Sequence, residues 1–343
     1  MIEPQVTIVV VPRERFSFTH ESLESIYEYT DFPFKLVYVD GASPPHIQSY
    51  LETQSQLRNF QLIRTDYYLS PNRARNIALS YVSSKYVVFI DNDVVVAQGW
   101  LKQMVECAEE TGATVVTPLT GEGQPVHERV HCAGGEARII VQGEGSQAKR
   151  YLHAKLLYRG RRLKDVQSKL KRQPTELAEF HCIMVRTAIF EQIGLLDEEL
   201  MNTKEHVDFC MSVIRAGGSV YLEPSAIVTY VPGSLLDWSD YHFYMLRWSD
   251  AWGISTLQHL QKKWNLTEDE LGVGYLVWRR KIAIIKPLML NLPFGQKSKL
   301  LQKILVFVDI IFNRFITSYY ALNQLRHKKD STSIRLYQHK AST

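Results

Sequence analysis

Six consecutive β-branched residues, Val6-Thr7-Ile8-Val9-Val10-Val11, closed by Pro12, constrain the fold of this chain more than any other feature. A run without polar alternation suits a strand buried on both faces, and such strands belong to parallel sheets covered by helices. The pattern returns. Phe34–Val39 ends at Asp40-Gly41, Phe60–Arg64 is a shorter strand, and Tyr86–Ile90 ends at Asp91. Ala113–Thr117, Phe180–Arg186 and Ser219–Leu222 follow. Helical periodicity lies between them, over His20–Tyr29, Pro45–Gln56, Ser70–Val82, Trp100–Glu110, Ala188–Ile193 and Glu205–Ala216. Ser70-Pro71 opens the third of these as an N-cap followed by proline in the first turn. The fold class is therefore α/β, a doubly wound, mostly parallel sheet flanked by helices. Its ligand crevice is expected outside the carboxyl ends of the strands.

At 343 residues and 45% apolar composition, the chain can bury one large core and still leave a second, smaller element. Composition shifts after Pro232, which places the α/β domain at residues 1–235. A helical C-terminal region is expected over 236–326, and a polar tail without regular order over 327–343. Residues 121–175 lose clear periodicity, with six glycines followed by the basic run Arg159-Gly160-Arg161-Arg162-Leu163-Lys164. Such a stretch reads as a functional loop or an unordered one. The 40 Lys and Arg against 36 Asp and Glu leave a charge of only +4, too small for a nucleic-acid surface over the whole chain. Cys107, Cys132, Cys182 and Cys210 form no C-x-x-C pair and read as reduced core thiols. Met1 runs into the first strand without a basic leader or apolar h-region, so the expected location is the cytoplasm or the inner face of a membrane.

Strand-end residues carry the chemistry. In Asp91-Asn92-Asp93, two carboxylates two residues apart just past a buried strand can share one hard cation with a diphosphate, which suits Mn²⁺ or Mg²⁺.

The segment from Val6 to about Pro232 resembles a family 2 glycosyltransferase of the GT-A fold, through several motifs in order. Thr7-Ile8-Val9-Val10-Val11-Pro12 is similar to the family's first strand and proline, Val39-Asp40-Gly41-Ala42-Ser43 to its V-D-D-G-S turn, and Ala74-Arg75-Asn76 to its A-R-N helix. Phe89-Ile90-Asp91-Asn92-Asp93 stands at its metal-binding D-x-D. Ile193-Gly194-Leu195-Leu196-Asp197-Glu198 is like I-G-x-F-D-E, and Glu205-His206-Val207-Asp208-Phe209 is like E-D-x-D-L. The resemblance implies an inverting transfer from a nucleotide sugar, a UDP-sugar first, to a glycan or lipid-linked acceptor. It implies donor contacts at Pro12, Asp40, Arg75 and Asp91, with Asp40 on the nucleoside base. It implies metal ligation by Asp93 helped by Asp91, and a carboxylate base in the stretch Glu205 to Asp208.

Three departures stand out. Gly41 replaces the family's second aspartate, His206 replaces the D of E-D, and Tyr230 stands where relatives often place a metal-binding His. On a helix, Glu205 and Asp208 share a face while His206 points about 100° away from Glu205, which favours Glu205 with Asp208 as one site. His206 stays open because an imidazole accepts protons near neutrality. Arg13, Arg15 and Arg73 are further basic groups near the strand ends. Apolar turns broken by Lys and Arg over 274–322 are too short to span a membrane, and read as packed helices or as helices lying on an anionic leaflet. A relative that binds a glycan or nucleotide without turnover is the alternative of another class. A nucleotidyltransferase would need a glycine-rich, Lys-bearing loop where Pro12-Arg13-Glu14-Arg15 stands.

Overall fold

The computed structural model describes residues 4–145, 148–232, 236–267, 274–290, 298–327 and 334–337. Its first half winds strand and helix in turn: β1 (Val6–Val11), α1 (Thr19–Tyr29), β2 (Lys35–Gly41), α2 (Pro45–Arg58), β3 (Gln61–Thr65), α3 (Pro71–Leu79) and β4 (Tyr86–Asp91). Beyond these come β5 (Val94–Val96), α4 (Trp100–Thr111), β6 (Val115–Glu122), β7 (Val130–Cys132), β8 (Gly135–Gln142), β9 (Lys149–Leu156), α5 (Leu163–Val166) and β10 (Gln173–Thr175). The domain closes with β11 (Cys182–Arg186), α6 (Phe190–Ile193), α7 (Glu205–Arg215) and β12 (Val220–Tyr230).

Strands β4, β1, β2 and β3 lie side by side in parallel. On the far side of β4, β11 runs antiparallel to both β4 and β6, and β12 is parallel to β6. The sheet is therefore mixed and mostly parallel. Alternation along its central strands feeds two cores. Ile8, Val10, Leu36, Tyr38, Val88 and Ile90 pack on one face, and Val9, Val11, Val37, Val39, Val87 and Phe89 on the other. That two-sided burial is why the first strands carry no polar alternation.

Much of the stretch without clear periodicity is ordered. β8 and β9 pair antiparallel from Gly135–Leu156 to Gln142–Lys149. Ala137, Ile139, Leu152, Ala154 and Leu156 face the core at every second position. The charged residues between them and the apolar Ile140 and Tyr151 hide this short alternation in the sequence. Within the terminal stretch expected to be an unordered tail, β13 (Ile334–Tyr337) pairs antiparallel with β3 at the sheet edge. All four cysteines are free and buried.

The C-terminal region is helical: α8 (Tyr241–Arg247), α9 (Asp250–Trp264), α10 (Gly274–Arg280), a π-helical turn at Lys281–Ile285, α11 (Lys286–Leu290) and α12 (Lys299–His327). Ser249 caps α9 by accepting from the Trp252 N–H at 3.1 Å. Among the described residues, no helix is long and apolar enough to cross a membrane.

Candidate active site

Because β11 is antiparallel to β4, its first residues meet the end of β4 and not its start. Cys182 is in register with Ile90, and the Asp91 N–H donates to the His181 carbonyl at 3.1 Å. One reversed strand thus brings His181 to the carboxyl ends of β1 and β4. Tyr230, at the end of β12, stacks on the His181 ring at 4.0 Å between centroids. Sequence reasoning missed His181, since a His inside an apolar strand carries no signal until the strand's direction is known.

Asp91 and Asp93 are both fully buried. Asp91 accepts from Arg75 Nη2 at 2.9 Å, and Arg13 Nε lies 3.3 Å from its other oxygen. Asn92, between them, faces the opposite way: its amide donates to the Arg15 carbonyl at 2.8 Å and its oxygen accepts from the Arg13 N–H at 3.2 Å. This middle residue pins the loop after β1 so that Arg13 reaches the crevice. Neither oxygen of Asp93 has a hydrogen-bond donor. Burial, together with the charge of Asp91, pushes the Asp93 carboxyl up to about 8. A buried carboxylate without a donor fits a cation. Asp91, Asp93 and His181 place one ligand atom each within 4.8 Å of one another, an O, O, N set that a hard to borderline divalent ion accepts.

The other residues expected at the site divide. Asp40, at the end of β2, is fully engaged: Ser43 donates its N–H and its hydroxyl at 2.9 Å each, and Arg64 Nη1 bonds the same carboxylate. Beside it, a Cβ on Gly41 would lie 3.2 Å from the Leu69 nitrogen and 3.4 Å from Pro12 Cγ. A side chain there would need Leu69 and Pro12 to give way by a few tenths of an ångström. Arg75 is fully buried on Asp91, Asn72 and the face of Phe180, 4.0 Å from the ring centroid. It orients Asp91 and is not exposed to a diphosphate.

The expectation that Glu205 and Asp208 form one site is corrected by their partners. Asp208 accepts from Lys263 Nζ at 2.8 Å and Trp264 Nε1 at 2.7 Å, which commits it to α9. Glu205 and His206 both line the crevice instead, along with Arg13, His131, Glu179, His181, Asn202 and Tyr230. They do so because Lys204, at φ +61°, turns the chain into α7 with its first two side chains at the cleft wall. Glu205 Oε1 lies 3.4 Å from Arg247 Nη2, and its other oxygen has no donor. Burial would raise this carboxyl, but Arg247, helped by His206 and Arg75, holds it below the ordinary carboxylate range. His206 Nε2 lies 3.4 Å from Glu179 Oε1, and burial holds its pKa below the ordinary imidazole value.

Two motifs prove to be partners of each other. The Asn76 amide donates to the Leu196 carbonyl at 2.8 Å and its oxygen accepts the Leu196 N–H at 3.0 Å. The A-R-N helix thereby anchors the I-G-L-L-D-E turn.

Comparison with known proteins gives the same frame. The family model for glycosyl transferase family 2 matches residues 7–194. An uncharacterized protein of Sinorhizobium fredii, y4gI, is 26% identical over 222 residues, 62% of this chain and 23% of that protein. A pre-mycofactocin glycosyltransferase of Mycobacterium tuberculosis is 29% identical over 164 residues, 47% of this chain and 30% of that one. The chain thus spans less than a third of the length of these curated relatives. Among solved structures, GalNAc-T7 with UDP, GalNAc and Mn²⁺ superposes with a TM-score of 0.51 at 16% identity, over 84% of this chain and 58% of that one. The mannosyltransferase PcManGT of Pyrobaculum calidifontis, with GDP-Man and Mn²⁺, superposes at 0.50 and 16% identity over 96% of this chain and 89% of that one. The likeness to these structures concerns the fold, which is GT-A. With a family model spanning over half its length, and with the D-x-D carboxylates at the end of β4, this chain belongs to glycosyl transferase family 2.

Proposed function

We propose that the protein transfers a sugar from a nucleotide-sugar donor to an acceptor hydroxyl, with inversion, in the crevice beyond β1 and β4. The observation that carries this reading is the buried Asp93, whose carboxylate has no donor beside an Asp91 already fixed by two guanidinium groups. Asp91, Asp93 and His181 would hold Mn²⁺ or Mg²⁺, and a bound ion supplies neutralising charge to the departing nucleoside diphosphate. Arg75 keeps Asp91 oriented. Asp40 serves the nucleoside end of the donor site by ordering Arg64 and Ser43. Pro12 and Gly41 form the close-packed floor between them.

The crevice is about 80 Å³, well below the roughly 300–1,000 Å³ of small-molecule pockets. Arg13 lies across Asp91 and His181, so a donor bound at the D-x-D turn would require it to turn. A guanidinium released there can bind the donor's diphosphate. Of the acceptor-side groups, His206 is the better proton acceptor. Both line the cleft and both are held below their ordinary values, His206 by burial and Glu205 by Arg247, but His206 can accept a proton without first releasing a guanidinium.

The same reading places the protein on a membrane carrying a glycan or lipid-linked acceptor. Leu300, Ile304, Phe307, Val308, Ile311, Phe312, Phe315 and Tyr319 are exposed along α12, within an arc of about 140° at 100° per residue. Arg314, Lys303 and Lys299 follow one another round the helix from one edge of that arc, a basic side that suits an anionic leaflet.

A panel of UDP-, GDP- and dTDP-sugars tests the enzyme reading, by thermal stabilisation with and without Mn²⁺ and by release of nucleoside diphosphate. One donor is expected to stabilise the chain and be consumed in a metal-dependent way. Stabilisation by a nucleotide sugar without turnover across acceptors would favour a binding relative of the same fold.

A further inference from the structure

Next to the D-x-D carboxylates lies a second cluster that shares only His181 with the first, and whose Glu179 also lies 3.4 Å from His206. His131, at the centre of β7, Glu179 and His181 are all buried and each offers a ligand atom within 4.8 Å of the others. His131 Nε2 is 3.9 Å from Glu179 Oε1, while its Nδ1 lies 3.1 Å from Glu122 Oε2. The carboxylate of Glu122 thus takes the Nδ1–H and leaves the lone pair of Nε2 directed at Glu179. This is the carboxylate–histidine arrangement that fixes the tautomer of metal-binding imidazoles.

From this geometry we infer a second metal site, formed by His131, Glu179 and His181 with Glu122 as the outer partner of His131, for a borderline transition ion of the Zn²⁺ class. Two imidazoles and one carboxylate are ligands for Zn²⁺ and for cobalt, and are soft for Mg²⁺. Metal–ligand bonds of about 2.0–2.1 Å at tetrahedral angles put ligand atoms about 3.3 Å apart. The 3.9 Å between His131 and Glu179 therefore closes by a fraction of an ångström on binding. Three protein ligands leave a fourth coordination position open, and all three residues line the cleft. Two features bear on occupancy. Arg13 Nη1 contacts the His181 ring at 2.9 Å, so the ion enters as that guanidinium turns away. His181 also belongs to the D-x-D set, so the two sites share one imidazole and compete or cooperate through it.

The site is tested on the full-length protein with Zn²⁺ alone, by equilibrium dialysis, and with Co²⁺ alone, by its visible absorption. Asp93→Ala is expected to keep one Zn²⁺ and a four-coordinate Co²⁺ spectrum. His131→Asn in that background is expected to lose both. Glu122→Gln, at a partly exposed carboxylate, should weaken Zn²⁺ by roughly 10–100-fold while leaving the fold intact by circular dichroism. Loss of all Zn²⁺ in Asp93→Ala, or unchanged affinity in Glu122→Gln, would overturn the proposal. Because no readout involves transfer, failure here leaves the glycosyltransferase reading untouched.

Discussion

Asp91 and Asp93 sit two residues apart in the same buried turn, yet the first is held by Arg75 and Arg13 and the second by no donor. Their roles separate accordingly. Asp91 is fixed before any ligand arrives, and Asp93 keeps its full capacity for a cation.

Removal of Asp93 should therefore silence metal-dependent transfer without unfolding the chain. Asp93→Ala is expected to abolish Mn²⁺- or Mg²⁺-stimulated turnover, measured as nucleoside diphosphate release, while its circular dichroism stays native. Unchanged turnover would remove the D-x-D reading.

The same carboxyl predicts a pH effect on the metal-free protein. Burial and Asp91 raise Asp93 to about 8, far above its value in the unfolded chain. The stabilisation from its protonated form is complete at low pH and is lost as pH rises through about 8. Asp93→Asn should be more stable than wild type above that pH, by roughly 1–3 kcal/mol, and denaturant titrations across pH 6–9 would show it. Equal stability of the two above pH 8 would mean that Asp93 finds a partner.

For the proton acceptor, His206→Asn is expected to lower kcat by about 10²–10⁴-fold with donor affinity kept. Burial holds His206 below the ordinary imidazole value, so the wild-type rate should stay flat down to slightly acidic pH and then fall. If Glu205→Gln removes transfer and His206→Asn does not, the base is Glu205 and Arg247 must release it.

Glu14 connects the two regions of the protein. Its carboxylate accepts from Tyr230 Oη at 2.5 Å, Trp248 Nε1 at 3.0 Å and Arg279 Nη2 at 2.8 Å. Burial would raise it, but Arg279, Arg13 and Arg247 hold it down at about 2. Its stabilisation is present above the ordinary carboxylate range and fades as pH falls towards 2. Glu14→Ala should cost about 3–5 kcal/mol, and a truncation at residue 235 should be unstable because it strips the same carboxylate of Trp248 and Arg279. A loss under 1 kcal/mol in denaturant melts would show that the regions are held together elsewhere.

On α12, Phe307→Glu with Phe315→Glu should release the protein from anionic liposomes in a sedimentation assay. High ionic strength should weaken wild-type binding. Wild-type protein that stays in the supernatant with liposomes present would return α12 to ordinary packing.

The sheet and the D-x-D turn were legible because unbroken β-branched runs and strand-end carboxylates each have a local cause. Asp40, Arg75 and Asp91 were also recognisable from motifs, but their partners were not, since Arg64 and Arg13 reach them only across strands. The pairing of Glu205 with Asp208 failed for a related reason. Helical spacing gives the angle between side chains, whereas the position of α9 decided that Lys263 and Trp264 would take Asp208. His131 lies far in the chain from the pair Glu179 and His181, and sequence spacing alone could not join the two segments.

The reversed strand β11 makes the site sensitive to alignment as well as to identity. Successive residues of a strand point to opposite sides, so a shift of one position against β4 would bring Phe180 or Cys182 opposite Asp91 in place of His181. An imidazole would become a phenyl ring or a thiol with no change in composition. Single-residue insertions or deletions in the short approach from Leu177 to Cys182 should therefore disable the crevice as thoroughly as replacing its ligands, although they fall in a segment that touches no motif.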